Sequence, residues 1–137
     1  MADTYNHRLR LVDLQTMRVS TICGSSEVGY TDALFRQSRL NFPQKVAIDE
    51  RDPDKLKVYF TELNDCVRVL DYSIGEVRTV CGGNQGMNGL QDGDGHSALM
   101  NFPYGIIFDA FEGKLLVTES DNHAIRSIAI EELETKQ

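Results

Sequence analysis

Cys66 and Cys81 flank a short turn, and Cys23 occupies the place of Cys81 in an earlier copy of the same stretch. If the turn at Tyr72–Gly75 is centred between Ser73 and Ile74, Cys66 lies directly opposite Cys81. Opposed strand residues hold their Cβ atoms about 4.5–5.5 Å apart, within reach of a cross-strand disulfide. In a reducing cell the same pair reads as two packed apolar thiols. By the same count Cys23 faces Arg8 and has no partner. His7 and His123 share one turn position with Asp65 between them, which does not make a ring of histidine ligands. His96 stands alone in a loop. Asp92-Gly93-Asp94-Gly95 opens like a calcium loop, but Ser97-Ala98-Leu99-Met100 supplies neither the further carboxylates nor the closing Glu. Asp32 holds the aligned place in the earlier loop, so Asp92 reads as a repeat feature that fixes its loop by bonds to backbone. Gly82, Gly83, Gly86 and Gly89 form no phosphate loop, because no Lys-Ser/Thr pair follows and no helix begins. The chain offers no catalytic set, no metal site and no cofactor site.

These residues sit in a repeat. Asn6, Asn64 and Asn122 recur at one constant spacing, and Arg10, Arg68 and Arg126 recur at the same spacing. Asn41-Phe42-Pro43 returns as Asn101-Phe102-Pro103 at a slightly longer step. A period of roughly 58 residues marks a repeat architecture. The asparagines fall in tight turns, where Asn tolerates left-handed backbone and bonds its own neighbours. The arginines fall mid-strand, and Asp49 and Asp109, at the ends of two apolar strands, are the expected partners for structural ion pairs.

Short β-branched runs broken by Gly, Pro, Asp and Asn predict strands throughout. With the strands of one unit labelled a to d, residues 1–137 read as a single segment. It comprises c-d strands over 8–23, a full four-strand unit over 45–81 and a-b-c strands over 105–130. Val46 and Ile48 alternate with Ala47, and Ile106 and Phe108 with Ile107, so both faces of a sheet are apolar and each must be covered. Radial stacking of four-stranded sheets, a β-propeller, provides that cover. The fold class is all-β, with blades of four antiparallel strands.

The 137 residues include 41% apolar residues, enough for a core, and carry a net charge of −7. That charge weighs against a nucleic-acid backbone or an anionic membrane as the main partner. No run approaches the ~18 apolar residues of a spanning helix, and Met1-Ala2-Asp3-Thr4 lacks the blocks of a signal peptide. With an odd number of cysteines, a reduced cytoplasmic setting is expected.

The phrase Ala2-Asp3-Thr4-Tyr5-Asn6-His7-Arg8-Leu9-Arg10, a Thr21-Ile22-Cys23-Gly24 strand end, a Gly-rich loop with Asp, and Asn-Phe-Pro before an apolar strand together resemble the NHL repeat. Asn6-His7 and Asn122-His123 fit its namesake letters, whereas Asn64-Asp65 departs at the second. The resemblance implies a six-bladed propeller of which about two and a third repeats are present. It also implies the family's range of activities. Some relatives are lactonases or amidating lyases with an axial divalent metal, and some animal NHL domains bind RNA, which the acidic charge disfavours. The expected role is a non-catalytic protein-interaction scaffold, with the metal-dependent hydrolase or lyase as the alternative. The b–c turns and long d–a loops would share one face, carrying Tyr5, Asn6, His7, Tyr30, Phe35, Arg36, Arg39, Leu63, Asn64, Met87, Asn122 and His123. Exposed aromatics and arginines are common interface anchors. Two and a third repeats cannot close a ring. The expected partners are therefore proteins, including further copies of the chain (three for six blades) or the rest of a longer propeller.

Overall fold

The computed structural model describes residues 1–83 and 86–130. Among them are eleven strands: β1 (Ala2–Asp3), β2 (Arg8–Asp13), β3 (Arg18–Cys23), β4 (Ala33–Leu34), β5 (Pro43–Asp49), β6 (Lys57–Glu62), β7 (Cys66–Asp71), β8 (Glu76–Gly82), β9 (Pro103–Asp109), β10 (Lys114–Glu119) and β11 (Ala124–Ala129). The only helical elements among the described residues are three single-turn 3₁₀ segments. All strand pairing is antiparallel, in three sheets ordered β1-β2-β3, β4-β8-β7-β6-β5 and β11-β10-β9. The chain is all-β, and its sheets are propeller-like blades.

The middle sheet is covered on both faces, as its sequence requires. Val58, Phe60, Leu70 and Val77 pack towards Leu9, Cys23 and Leu40 on one side. Ala47, Tyr59, Val67, Val69 and Cys81 pack towards Met100, Ile106, Leu115 and Val117 on the other. Each buried Val, Leu or Phe contributes about 1.5–3 kcal/mol. The inner strands β5 and β9 lie against each other, which fans the sheets around a common side.

Both outer hairpins carry a bulge at the same place. Arg10 pairs with Thr21 but Leu9 with Cys23, so Ile22 is the extra residue; Arg68 pairs with Thr79 but Val67 with Cys81, so Val80 is. A bulge of one residue shifts every later pair by one. This corrects the expected register: Cys66 lies opposite Gly82, Cys81 opposite Val67, and Cys23 opposite Leu9 rather than Arg8. All three thiols are free and buried.

The left-handed residue of each b–c turn is not the recurrent asparagine but its successor: His7 (φ 53°), Asp65 (φ 59°) and His123 (φ 50°). Phe42 (φ 47°) and Phe102 (φ 51°) are left-handed too, each just before a proline.

Candidate interaction site

Arg68 is the most enclosed cation in the molecule's middle sheet, with a side chain fully shielded from solvent. Its Nη1 donates to Glu62 Oε1 (3.1 Å) and to the Arg39 carbonyl (2.8 Å), and its Nη2 to the Thr31 carbonyl and Asp32 Oδ1 (both 2.8 Å). The rings of Tyr30 and Phe60 lie 5.1 and 5.9 Å from the guanidinium. Only a planar fork of donors meets so many acceptors at once. Burial pushes the Glu62 carboxyl up to about 7, against the pull of Arg68 and of the Asn41 amide that it accepts.

The third sheet repeats this arrangement. Arg126 donates to Glu119 (2.8 Å), to Asp92 (2.6 Å) and to the carbonyls of Leu99 and Gln91. Each arginine therefore ties the acid closing strand b to a loop that folds back on itself through Thr31–Arg39 or Gln91–Leu99. In the first sheet Arg10 meets Asp3 at 3.1 Å. Asp49 and Asp109 are not the partners, contrary to expectation. Asp49 is held by Arg51, and Asp109 accepts the Phe111 and Glu112 amides of its own turn. Strand ends tighten into turns at these aspartates, leaving their carboxylates beside local donors. Asp32 and Asp92, expected to fix their loops by bonds to backbone, bind the arginines, and Asp32 Oδ2 also accepts the Thr79 amide at 2.9 Å.

The turn residues form a row that runs from unit to unit. The Phe42 amide donates to His7 Nδ1 (3.3 Å), and the Phe102 amide to Asp65 Oδ1 (2.8 Å). The Leu63 amide donates to the Asn41 carbonyl, and the Ser120 amide to that of Phe102. His7 and Tyr5 both set their rings edge-on to Phe42. The row thus includes Tyr5 and Asn6 (both exposed), buried His7, half-buried Leu63, Asn64 and Asn122, and exposed His123. Asn6 bonds Asp3, Asn64 accepts from the Cys66 thiol, and Asn122 donates to the Gly89 carbonyl near exposed Met87. Tyr30 and Arg39 lie instead over Arg68 and strand β8, where Tyr30 bonds Thr79 at 2.6 Å. Phe35 departs furthest. Strand β4 adds to the outer edge of β8, and the Phe35 amide reaches the Gly75 carbonyl at 2.7 Å in the opposite, c–d turn. The Phe35 carbonyl also accepts from the Gly24 amide at 3.2 Å, and Gly24 packs against the His7 carbonyl, so Phe35 bridges the c–d turn and the edge of the first asparagine turn. Gly75 (φ 75°) leaves room for the ring, since a Cβ there would fall 2.0 Å from it.

Beside β11 lies an open cleft of about 860 Å³, bordered by Val80, Cys81, Asp92, Met100, Arg126 and Ile128. Composition gave no sign of it, because it is bounded by a strand edge and a loop. Among the described residues no group of His, Cys, Asp and Glu is arranged to hold a metal ion, and no helix is long and apolar enough to cross a membrane.

No family model matches the chain. A curated relative, the chloroplastic protein SUPPRESSOR OF QUENCHING 1 of Arabidopsis thaliana, is 33% identical over 76 residues, 56% of this chain and 7% of that protein. Among solved structures, one Bacteroides thetaiotaomicron protein of unknown function superposes on 96% of the chain with a TM-score of 0.83 and 27% identity. An auxiliary nutrient binding protein of the same species superposes on 93% with a TM-score of 0.77 and 26% identity. The chain spans 32% and 34% of those two proteins, about a third of their length.

Proposed function

We propose that residues 1–137 are one segment of an NHL-type propeller, about two and a third repeats, serving as a non-catalytic protein-interaction scaffold in a reduced, cytoplasmic setting. The observation that carries this reading is the open cleft beside β11, where the strand's outer edge has no partner among the described residues and lies among Val80, Met100, Ile128, Asp92 and Arg126. Such an edge binds an added strand through main-chain hydrogen bonds, with side-chain pockets setting specificity. The likeness to a nutrient binding protein accords with a binding role. The ends of the segment are complementary, since sheet three holds strands a-b-c and β3 is a strand d. Further blades would complete the ring, either from other copies of the chain (three for six blades) or from the rest of a longer propeller.

The test is capture on the immobilised chain with and without a chelator, followed by partner identification and by an assay for lactone hydrolysis. Protein capture indifferent to the chelator is expected. Chelator-sensitive binding or turnover would overturn the scaffold in favour of a metal-dependent enzyme.

A further inference from the structure

One bond recurs where successive units meet at the b–c turns, and its acceptor is a different chemical group at each junction. At the first, the Phe42 amide donates to His7 Nδ1; at the second, the Phe102 amide donates to Asp65 Oδ1. The surroundings are otherwise shared. His7 and Asp65 have left-handed backbone, as do Phe42 and Phe102, and a proline follows each phenylalanine. The preceding amide is held alike in both, Asn41 by Glu62 Oε1 at 3.2 Å and Asn101 by Glu119 Oε1 at 2.9 Å. Only the acceptor of the phenylalanine amide changes, from an imidazole to a carboxylate.

The two acceptors answer a proton differently. An imidazole nitrogen accepts only while it carries no hydrogen, and a second proton on the ring makes both nitrogens donors. At His7 that sets one N–H against another. A carboxylate that gains a proton keeps a carbonyl oxygen to accept with, and as a class carboxylates gain it in more acid solution than imidazoles. The His7 ring is buried and lies edge-on to the Phe42 ring, with centroids 4.4 Å apart. The titratable and charged groups around it are Asp3, Tyr5 and Arg8 of its own turn, Cys23 opposite Leu9, and Glu62 through the Asn41 amide. Asp3 is engaged by Arg10 and Asn6, and Glu62 by Arg68 and Asn41. Burial pushes the Glu62 carboxyl up to about 7, yet a protonated Glu62 still accepts the Asn41 amide through its carbonyl oxygen.

We propose that the junction between the first and middle units is a proton-operated joint, in which a proton taken from solvent by His7 releases the Phe42 amide and loosens the β1-β2-β3 sheet from the middle unit while the Asp65 junction stays closed. The sign follows from the bond. It exists only with the neutral ring, so the joint is closed above the histidine range and opens as pH falls through it. The opening is local, of the kind that single elements undergo while the rest of a fold persists. Tyr5, edge-on to Phe42 with centroids 5.9 Å apart, is released with it. The joint goes beyond the scaffold reading and holds whatever the chain binds.

Amide exchange of the whole chain at about pH 8 and about pH 5 tests the joint, each rate taken relative to the unfolded chain at the same pH. The Phe42 amide is expected to lose roughly tenfold in protection, and the Phe102 amide to keep its own. In the unmodified chain the Phe42 amide resonance should also titrate in step with the His7 ring protons. His7→Asp copies the second junction and should abolish the loss at Phe42, and Asp65→His should give Phe102 the same loss. Phe42 protection that does not change with pH, or an amide resonance that ignores the His7 ring, would overturn the joint. So would a loss that survives in His7→Asp, which would trace it to Glu62, or an equal loss at Phe102 in the unmodified chain, which would be general acid unfolding.

Discussion

Arg68 and Asp32 meet at 2.8 Å although 36 residues separate them, and the acid comes from the connection that precedes the blade holding the arginine. Each long connection is thus bound to the unit it introduces. The buried guanidinium serves as the clamp, with Glu62 closing its other side.

Arg68→Lys should destabilise the fold by about 3 kcal/mol or more, because an ammonium leaves several buried acceptors and Glu62 without partners. Arg126→Lys should cost less, since that side chain is 12% exposed and Asp92 stands in water. Urea unfolding of both variants checks the order. Equal losses would show that enclosure of Arg68 is not what sets its worth.

The thiols give the pH prediction. Burial pushes Cys23 and Cys81 up to about 12, from a usual value of 9.0. Between those values the unfolded chain releases thiol protons and the folded chain keeps them. Stability is therefore full below pH 9 and falls as pH rises above it. A native chain at pH 8 should leave an aromatic disulfide reagent unreacted, and all three thiols should react once it is unfolded. Rapid reaction of the native chain would contradict the burial.

Asp65→Ala should destabilise by about 2 kcal/mol, combining a lost bond to the Phe102 amide with a side chain poorly suited to left-handed backbone. Asp65→Gly isolates the bond by relieving the backbone, and Asn64→Ala should cost less than Asp65→Ala. Thermal melts of the three decide, and a larger loss from Asn64→Ala would return the turn's control to the asparagine.

Gly75→Ala should destabilise by about 2 kcal/mol or more, since the methyl meets the Phe35 ring on positive-φ backbone. Adding Phe35→Ala should recover the part due to collision and leave the part due to φ. No recovery, read by denaturant midpoint, would place the whole cost in the backbone.

The sheets were legible because their signal is periodic: Val46, Ala47 and Ile48 declare two buried faces, and the arginine spacing declares the repeat. The partners were less so. Counting from a turn assumes an unbroken ladder, and the extra residues Ile22 and Val80 break it, which separated Cys66 from Cys81. The pairing of Arg68 with Glu62 instead of Asp49 depends on which strand end bends towards the arginine, a matter of twist. Strand β4 is two residues long and takes its conformation from the edge of β8, so nothing local announced it.

The hydrogen bonds accepted by the His7 and Asp65 side chains run one way: the acceptor belongs to the earlier unit and the donor to the later. The grip of one unit on the next is therefore made when the later one folds, and stability is transmitted by nearest neighbours along the chain. Amide exchange should register this as a gradient. The Phe102 amide, anchored on Asp65 in the well-enclosed middle unit, should outlast the Phe42 amide, anchored on the thinner first sheet. Growth of such an array by duplication needs no new chemistry at the seam, because each unit arrives already carrying the donor its predecessor lacks.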